Sequence, residues 1–180
     1  MTCIVGLVDG GKVYIGGDSA GVAGLDIYGR ADQKVFKVGD FIMGFTTSFR
    51  MGQLLRYSFI PPKRHTENNI YKFMVTDFID AVRKCLKDGG FAKKENDVER
   101  GGVFLVGYAG RLFKVEGDYQ VGETILQFDS CGCGESFALG SLYTTKTQKD
   151  PIKRINVALE AAQEFSAGVR EPFNIIEGGE

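Results

Sequence analysis

The chain has 180 residues, a formal net charge of −1 at pH 7 and 43% hydrophobic residues, enough apolar surface to bury a core and too much for a disordered chain. So balanced a charge excludes the broad basic field that recruits nucleic acid or an anionic membrane surface, no apolar run approaches the ~20 residues of a membrane span, and the N-terminus does not read as a secretory signal. Glycine is the departure: 25 residues, about twice the usual share of ~7%, without a collagen period, so the fold needs many left-handed turns or close backbone approaches.

In chain order, residues 2–8 read as a buried strand, 9–12 as a tight turn and 13–17 as the antiparallel partner. Residues 18–33 are rich in Gly, Ala and Asp with no sustained period and read as a loop, after which 34–38 and 41–46 flank Gly39-Asp40 as a second hairpin. Residues 49–59 form a short helix stopped by Pro61-Pro62. Ile70, Phe73, Met74, Phe78, Ala81, Val82 and Cys85 then recur at i, i+3, i+4, predicting a longer helix ended by Gly89-Gly90. Strands follow at 103–108, 112–115 and 124–128, with a turn at Ala109-Gly110, then a helix at 135–143. Asp150-Pro151 supplies an N-cap and an N1 proline for a helix carrying Ile152, Ile155, Leu159, Ala162 and Phe165 on one stripe, and 173–176 is a last strand. Strands and helices come in separate blocks, so a doubly wound parallel sheet is disfavoured and antiparallel sheets stacked between helical layers are expected, as one domain over 1–180.

The four cysteines, Cys3, Cys85, Cys131 and Cys133, are too few and too uneven for a disulfide framework and fit a reducing, cytoplasmic setting. Cys131-Gly132-Cys133 is at most half a metal site, and no second pair completes it, so neither metal nor cofactor is expected. The single histidine, His65, falls in the polar run 63–69 and reads as an exposed loop residue, and no phosphate-binding loop, zinc-protease or nucleophile-elbow motif is present. What remains is Thr2. Removal of Met1, which a small second residue permits, leaves a hydroxyl and a free α-amine on one residue, a recognised nucleophile and base. An α-amine titrates near about 7.7–8.0, and a lysine cation close by favours its neutral, proton-accepting form. Read singly, Thr2 equally starts a strand, Asp18 ends one, and Lys34 flanks a hairpin.

Taken together, Thr2-Cys3-Ile4-Val5-Gly6, Ile15-Gly16-Gly17-Asp18-Ser19, Gln33-Lys34-Val35-Phe36-Lys37-Val38 and Ile42-Met43-Gly44-Phe45 resemble, in order, the N-terminal third of proteasome β-type subunits and above all of the HslV-type peptidases, which are N-terminal-nucleophile (Ntn) hydrolases. Gly132-Cys133-Gly134-Glu135-Ser136-Phe137-Ala138-Leu139 is similar to that family's glycine-serine-glycine helix start. The resemblance implies an α+β fold, a four-layer αββα sandwich, and a threonine peptidase acting on polypeptide within a homo-oligomeric ring, with an ATP-dependent unfoldase as a candidate partner. Carried over by position, Thr2 is the nucleophile, Lys34 depresses the pKa of its amine, and Asp18 orients Lys34. Backbone N–H near Ser48 supplies the oxyanion hole. Departures lie in the supporting residues: Ser48 stands for a glycine, Cys133 for a serine, Glu164 for an aspartate and Ala167 for a serine. Ring contacts are expected on the exposed faces of the helices at 49–59 and 70–86. Two rivals share the fold: a catalytically silent ring or scaffold subunit, and a small-amide Ntn amidohydrolase in which Arg30 would be recruited.

Overall fold

Two antiparallel sheets lie face to face, each with helices on its outer side. The computed structural model describes residues 1–65, 69–95 and 98–179, with backbone alone for 93–95. Strands β1 (Cys3–Asp9) and β2 (Lys12–Gly17) are joined through Gly10 and Gly11, both at positive φ (56° and 80°), the two-residue turn whose twist matches a hairpin. The stretch read as a loop instead contains a small ribbon, β3 (Ala20–Ala23) with β4 (Asp26–Gly29). Its strands, Ala20-Gly21-Val22-Ala23 and Asp26-Ile27-Tyr28-Gly29, are four residues long, too short to display an alternation that sequence reading can detect.

The second hairpin is β5 (Val35–Val38) with β6 (Phe41–Phe45), followed by α1 (Phe49–Tyr57), which Ser48 caps by accepting from the Arg50 N–H. The periodic segment from Ile70 is helical but not uniformly α: α2 (Ile70–Phe73) passes through one π-helical turn at Met74–Phe78 into α3 (Ile79–Asp88). A ribbon that sequence reading did not anticipate, β7 (Lys93–Glu95) with β8 (Val98–Arg100), precedes β9 (Phe104–Tyr108) and β10 (Arg111–Val115). The strand expected at 124–128 is displaced. Pairing occurs on either side of it, in β11 (Val121–Glu123) and β12 (Phe128–Gly132), because these two strands belong to different sheets and the residues between them make the crossing. Helices α4 (Glu135–Thr144) and α5 (Pro151–Phe165) follow, the latter capped by the Asp150 carboxylate on the Lys153 N–H at 3.1 Å, and β13 (Asn174–Gly178) closes the chain.

One sheet has the order β12-β1-β2-β13 and the other β11-β10-β9-β6-β5. Three apolar cores separate the layers. Cys3, Val5 and Leu7 on one face of β1 pack on Leu142, Ile155 and Leu159 of α4 and α5. Ile4 on the opposite face joins Val13, Ile15, Ile42, Leu105 and Leu112 between the sheets. Met43, Phe104 and Phe113 of the second sheet meet Met51, Phe78 and Val82 of α1 to α3. Burial on both faces explains why the β1 sequence is apolar throughout rather than alternating. The layers therefore run helices, sheet, sheet, helices.

Candidate active site

The chain's chemistry-bearing side chains meet at one end of β1 and β2. Pairing of Ile4 with Gly17 sets Asp18, the residue after β2, beside the start of β1, where its Oδ1 accepts the Cys3 N–H at 2.9 Å. Oδ2 accepts the Ala20 N–H at 2.8 Å and the Arg170 N–H at 3.4 Å. Lys34, immediately before β5, reaches across from the second sheet and donates from Nζ to both oxygens, at 2.9 and 3.0 Å. Both side chains are essentially out of water, 1% exposed for Lys34 and 0% for Asp18. Burial pushes the Lys34 ammonium below its usual range, and the Asp18 carboxylate opposes that shift. A buried ion pair requires further hydrogen bonds to offset desolvation, and three backbone N–H groups provide them here.

Thr2 is 4% exposed, and its neighbours come from the loop leading into α4. Its N–H donates to Cys133 Sγ at 3.2 Å, and the Cys133 thiol returns a contact to the Thr2 carbonyl at 3.4 Å. Gly132 makes this approach possible: at φ 103° a β-carbon would sit 2.2 Å from the Thr2 carbonyl oxygen. The Thr2 hydroxyl donates to the Met1 carbonyl. Thr2, Val22, Thr46, Thr47, Ser48 and Phe49 line a small adjoining pocket of about 90 Å³.

Ser48 thus borders the nucleophile candidate, but its groups are engaged. The hydroxyl caps α1, and the N–H donates to the Thr46 carbonyl at 2.7 Å across Thr47, which is held at φ 65° in a tight three-residue turn. Glu164 does not join the cluster. It lies on the exposed side of the last turn of α5, and among the described residues it has no hydrogen-bond or ion-pair partner. Ala167 is likewise exposed. The residue that does reach the site is Ser166, at the C-cap of α5, whose hydroxyl donates to Cys133 Sγ at 3.2 Å. The only sequence signal for it was its place directly after the apolar stripe ending at Phe165; which of residues 164 to 167 turns inward depends on where the helix stops. His65 is exposed, Cys3 and Cys131 are buried, and among the described residues no group of three or more His, Cys, Asp or Glu gathers as a metal site. Among the described residues no helix is long and apolar enough to cross a membrane.

Two facing antiparallel sheets between helical layers have counterparts among solved structures. BPH from Thiobacillus denitrificans matches with a TM-score of 0.82 at 20% identity, over 98% of this chain and 97% of that one. This is the proteasome-like Ntn-hydrolase fold. BPH in complex with epoxomicin matches at 0.79 and 19% identity over the same shares of the two chains. HslV from Trypanosoma brucei matches at 0.67 and 15%, over 98% of each chain, and Anbu (ancestral beta-subunit) from Yersinia bercovieri at 0.66 and 14%, over 98% of this chain and 81% of that one. No protein-family model and no curated protein matches the sequence.

Proposed function

We propose that this chain is an N-terminal threonine peptidase of the proteasome and HslV type, a single Ntn-hydrolase domain over residues 1–180. The observation that carries the reading is the Asp18–Lys34 pair, buried within one residue of Thr2 and tied to the Thr2-Cys3 backbone by the Cys3 N–H. Removal of Met1 turns the Thr2 amide nitrogen into an amine already located 3.2 Å from Cys133 Sγ. Thr2 Oγ1 then attacks a peptide carbonyl while its proton passes to that amine, which the Lys34 cation keeps neutral and basic. The amine returns the proton to the departing nitrogen, the C–N bond breaks, and an ester to Thr2 remains. Water, deprotonated by the same amine, hydrolyses the ester and regenerates the hydroxyl. The Ser48 N–H borders the position of the developing oxyanion and serves it once its bond to the Thr46 carbonyl is exchanged.

The same reading carries a homo-oligomeric ring, a polypeptide substrate, service by an ATP-dependent unfoldase, and a cytoplasmic location. Intact-mass measurement of the purified protein before and after incubation with epoxomicin tests it. Loss of Met1 and a single adduct mapping to Thr2 support the peptidase. A retained Met1 with no adduct, even after Thr2 is exposed through a cleavable tag, would instead leave a silent ring subunit. Cleavage of small amides without cleavage of peptides would leave the amidohydrolase.

A further inference from the structure

An open cavity of about 620 Å³, sharing no lining residue with the pocket beside Thr2, lies between the helical segment Met74–Asp88, β8 and the turn that joins β10 to β11. Its volume is in the range of small-molecule sites. Val75 of the π-helical turn, Ile79 at the start of α3 and Val98 of β8 give it an apolar wall, and π-helical turns recur at functional positions. Tyr119 supplies the unexpected feature. It is 9% exposed and faces the cavity, yet its buried hydroxyl has no hydrogen-bond partner among the described residues. Gly101 makes room for that hydroxyl: a β-carbon there would sit 3.0 Å from its oxygen. Buried hydroxyls are as a rule hydrogen-bonded, so one left unpaired at a cavity wall marks a place for a ligand's donor. Burial and the nearby Glu99 carboxylate push the Tyr119 pKa up, which keeps the group a neutral hydroxyl able to accept from a cation.

Three carboxylates from three elements edge the same cavity: Asp80 of α3, Glu99 of β8 and Asp118 of the turn after β10. Arg83 stands among them, donating from Nε to Glu99 Oε2 and from Nη1 to Asp80 Oδ1, each at 2.9 Å. Asp118 Oδ1 accepts the Gln120 N–H at 3.0 Å. The second oxygen of each carboxylate has no partner among the described residues, and three carboxylates against one guanidinium leave negative charge in excess. Among the described residues these carboxylates do not gather closely enough to form a metal site. Spread around an apolar wall, they match cations joined by methylene chains better than a single ion. We propose that this cavity binds a linear polyamine, its ammonium groups on the free carboxylate oxygens and the Tyr119 hydroxyl, its methylenes against Val75, Ile79 and Val98. A polyanion would meet net repulsion, and a compact metal ion would leave the apolar wall and the hydroxyl uncovered. The inference is independent of the peptidase reading and applies equally to a silent subunit.

Isothermal titration calorimetry of the full chain with spermidine tests it, with Mg²⁺ and trilysine as comparison cations. Spermidine is expected to saturate a single site and to bind more tightly than either. Tyr119→Phe and Asp118→Asn are each expected to weaken spermidine binding about tenfold, as loss of a hydrogen bond to a charged group does. Tyr119→Phe breaks no hydrogen bond of the free protein, so its thermal melt should match or exceed that of the wild type, which separates lost binding from lost fold. Spermidine that fails to saturate at millimolar concentrations overturns the proposal. So does Mg²⁺ that binds as well as spermidine, which would mark only general attraction to acidic side chains, or trilysine that binds more tightly, which would mark a basic peptide as the occupant. A folded Tyr119→Phe protein that binds spermidine as the wild type does overturns it equally.

Discussion

The Lys34 ammonium bonds both oxygens of the Asp18 carboxylate in a space that excludes water, linking the second sheet to the hairpin of the first. Removing either partner leaves a buried charge without compensation, which costs about 3–5 kcal/mol. Lys34→Met and Asp18→Asn are expected to lower urea stability by amounts of that order. The double variant should lose less than the sum, because it removes both charges. A urea double-mutant cycle measures this, and additive losses would contradict the coupling.

Thr2→Ala should leave the fold and the assembly state intact and reduce peptide cleavage on the order of 10³-fold or more, as expected for loss of a nucleophile. Lys34→Ala should also suppress cleavage at neutral pH, with partial recovery as pH rises and the amine loses its proton unaided. A Lys34 variant with near-full activity at pH 7 would refute the proposed tuning of the amine.

Cys133 accepts from both the Thr2 N–H and the Ser166 hydroxyl. Cys133→Ser keeps an acceptor and should retain activity, whereas Cys133→Ala removes both hydrogen bonds, each worth about 1 kcal/mol, and should slow cleavage several-fold. As the exposed thiol, Cys133 should react with iodoacetamide at pH 8 while buried Cys3 and Cys131 stay unlabelled, which peptide mapping will reveal.

Gly132→Ala tests the close approach of the loop to Thr2. At φ 103° with a β-carbon 2.2 Å from the Thr2 carbonyl oxygen, backbone must shift, and a cost of about 1–3 kcal/mol with displacement of Thr2 is expected. A thermal melt unchanged from the wild type would show that the loop yields freely.

Burial pushes the Cys3 thiol up to about 12 and the Cys131 thiol well above its usual range. Between about pH 9 and 12 the unfolded chain has therefore released thiol protons that the folded chain still holds. Their contribution to stability is complete below pH 9 and is lost as pH rises. Lys34 acts in the opposite sense, since burial lowers its pKa and its penalty fades as pH climbs toward 10.5. Thermal melts from pH 7 to 11 should decline above pH 9, and the decline should be shallower in Cys3→Ala/Cys131→Ala.

The sequence by itself determined the elements whose signals are local. The hairpin at Gly10-Gly11 follows from residues that tolerate positive φ, and α5 from Asp150, Pro151 and a 3.6-residue apolar stripe. The order of motifs, with Thr2, Asp18 and Lys34 at their spacing, also pointed to the fold. Only the tertiary structure decided what depends on long-range contact. The β3–β4 ribbon is too short to carry a period, and the strand expected at 124–128 became a crossing because β11 and β12 pair in different sheets. Ser166 rather than Glu164 reaches Cys133, since the end of α5 fixes which residue turns inward. Burial of Lys34 against Asp18 likewise needs both sheets in place: a lysine flanking a hairpin looks solvated until the facing sheet excludes the water around it.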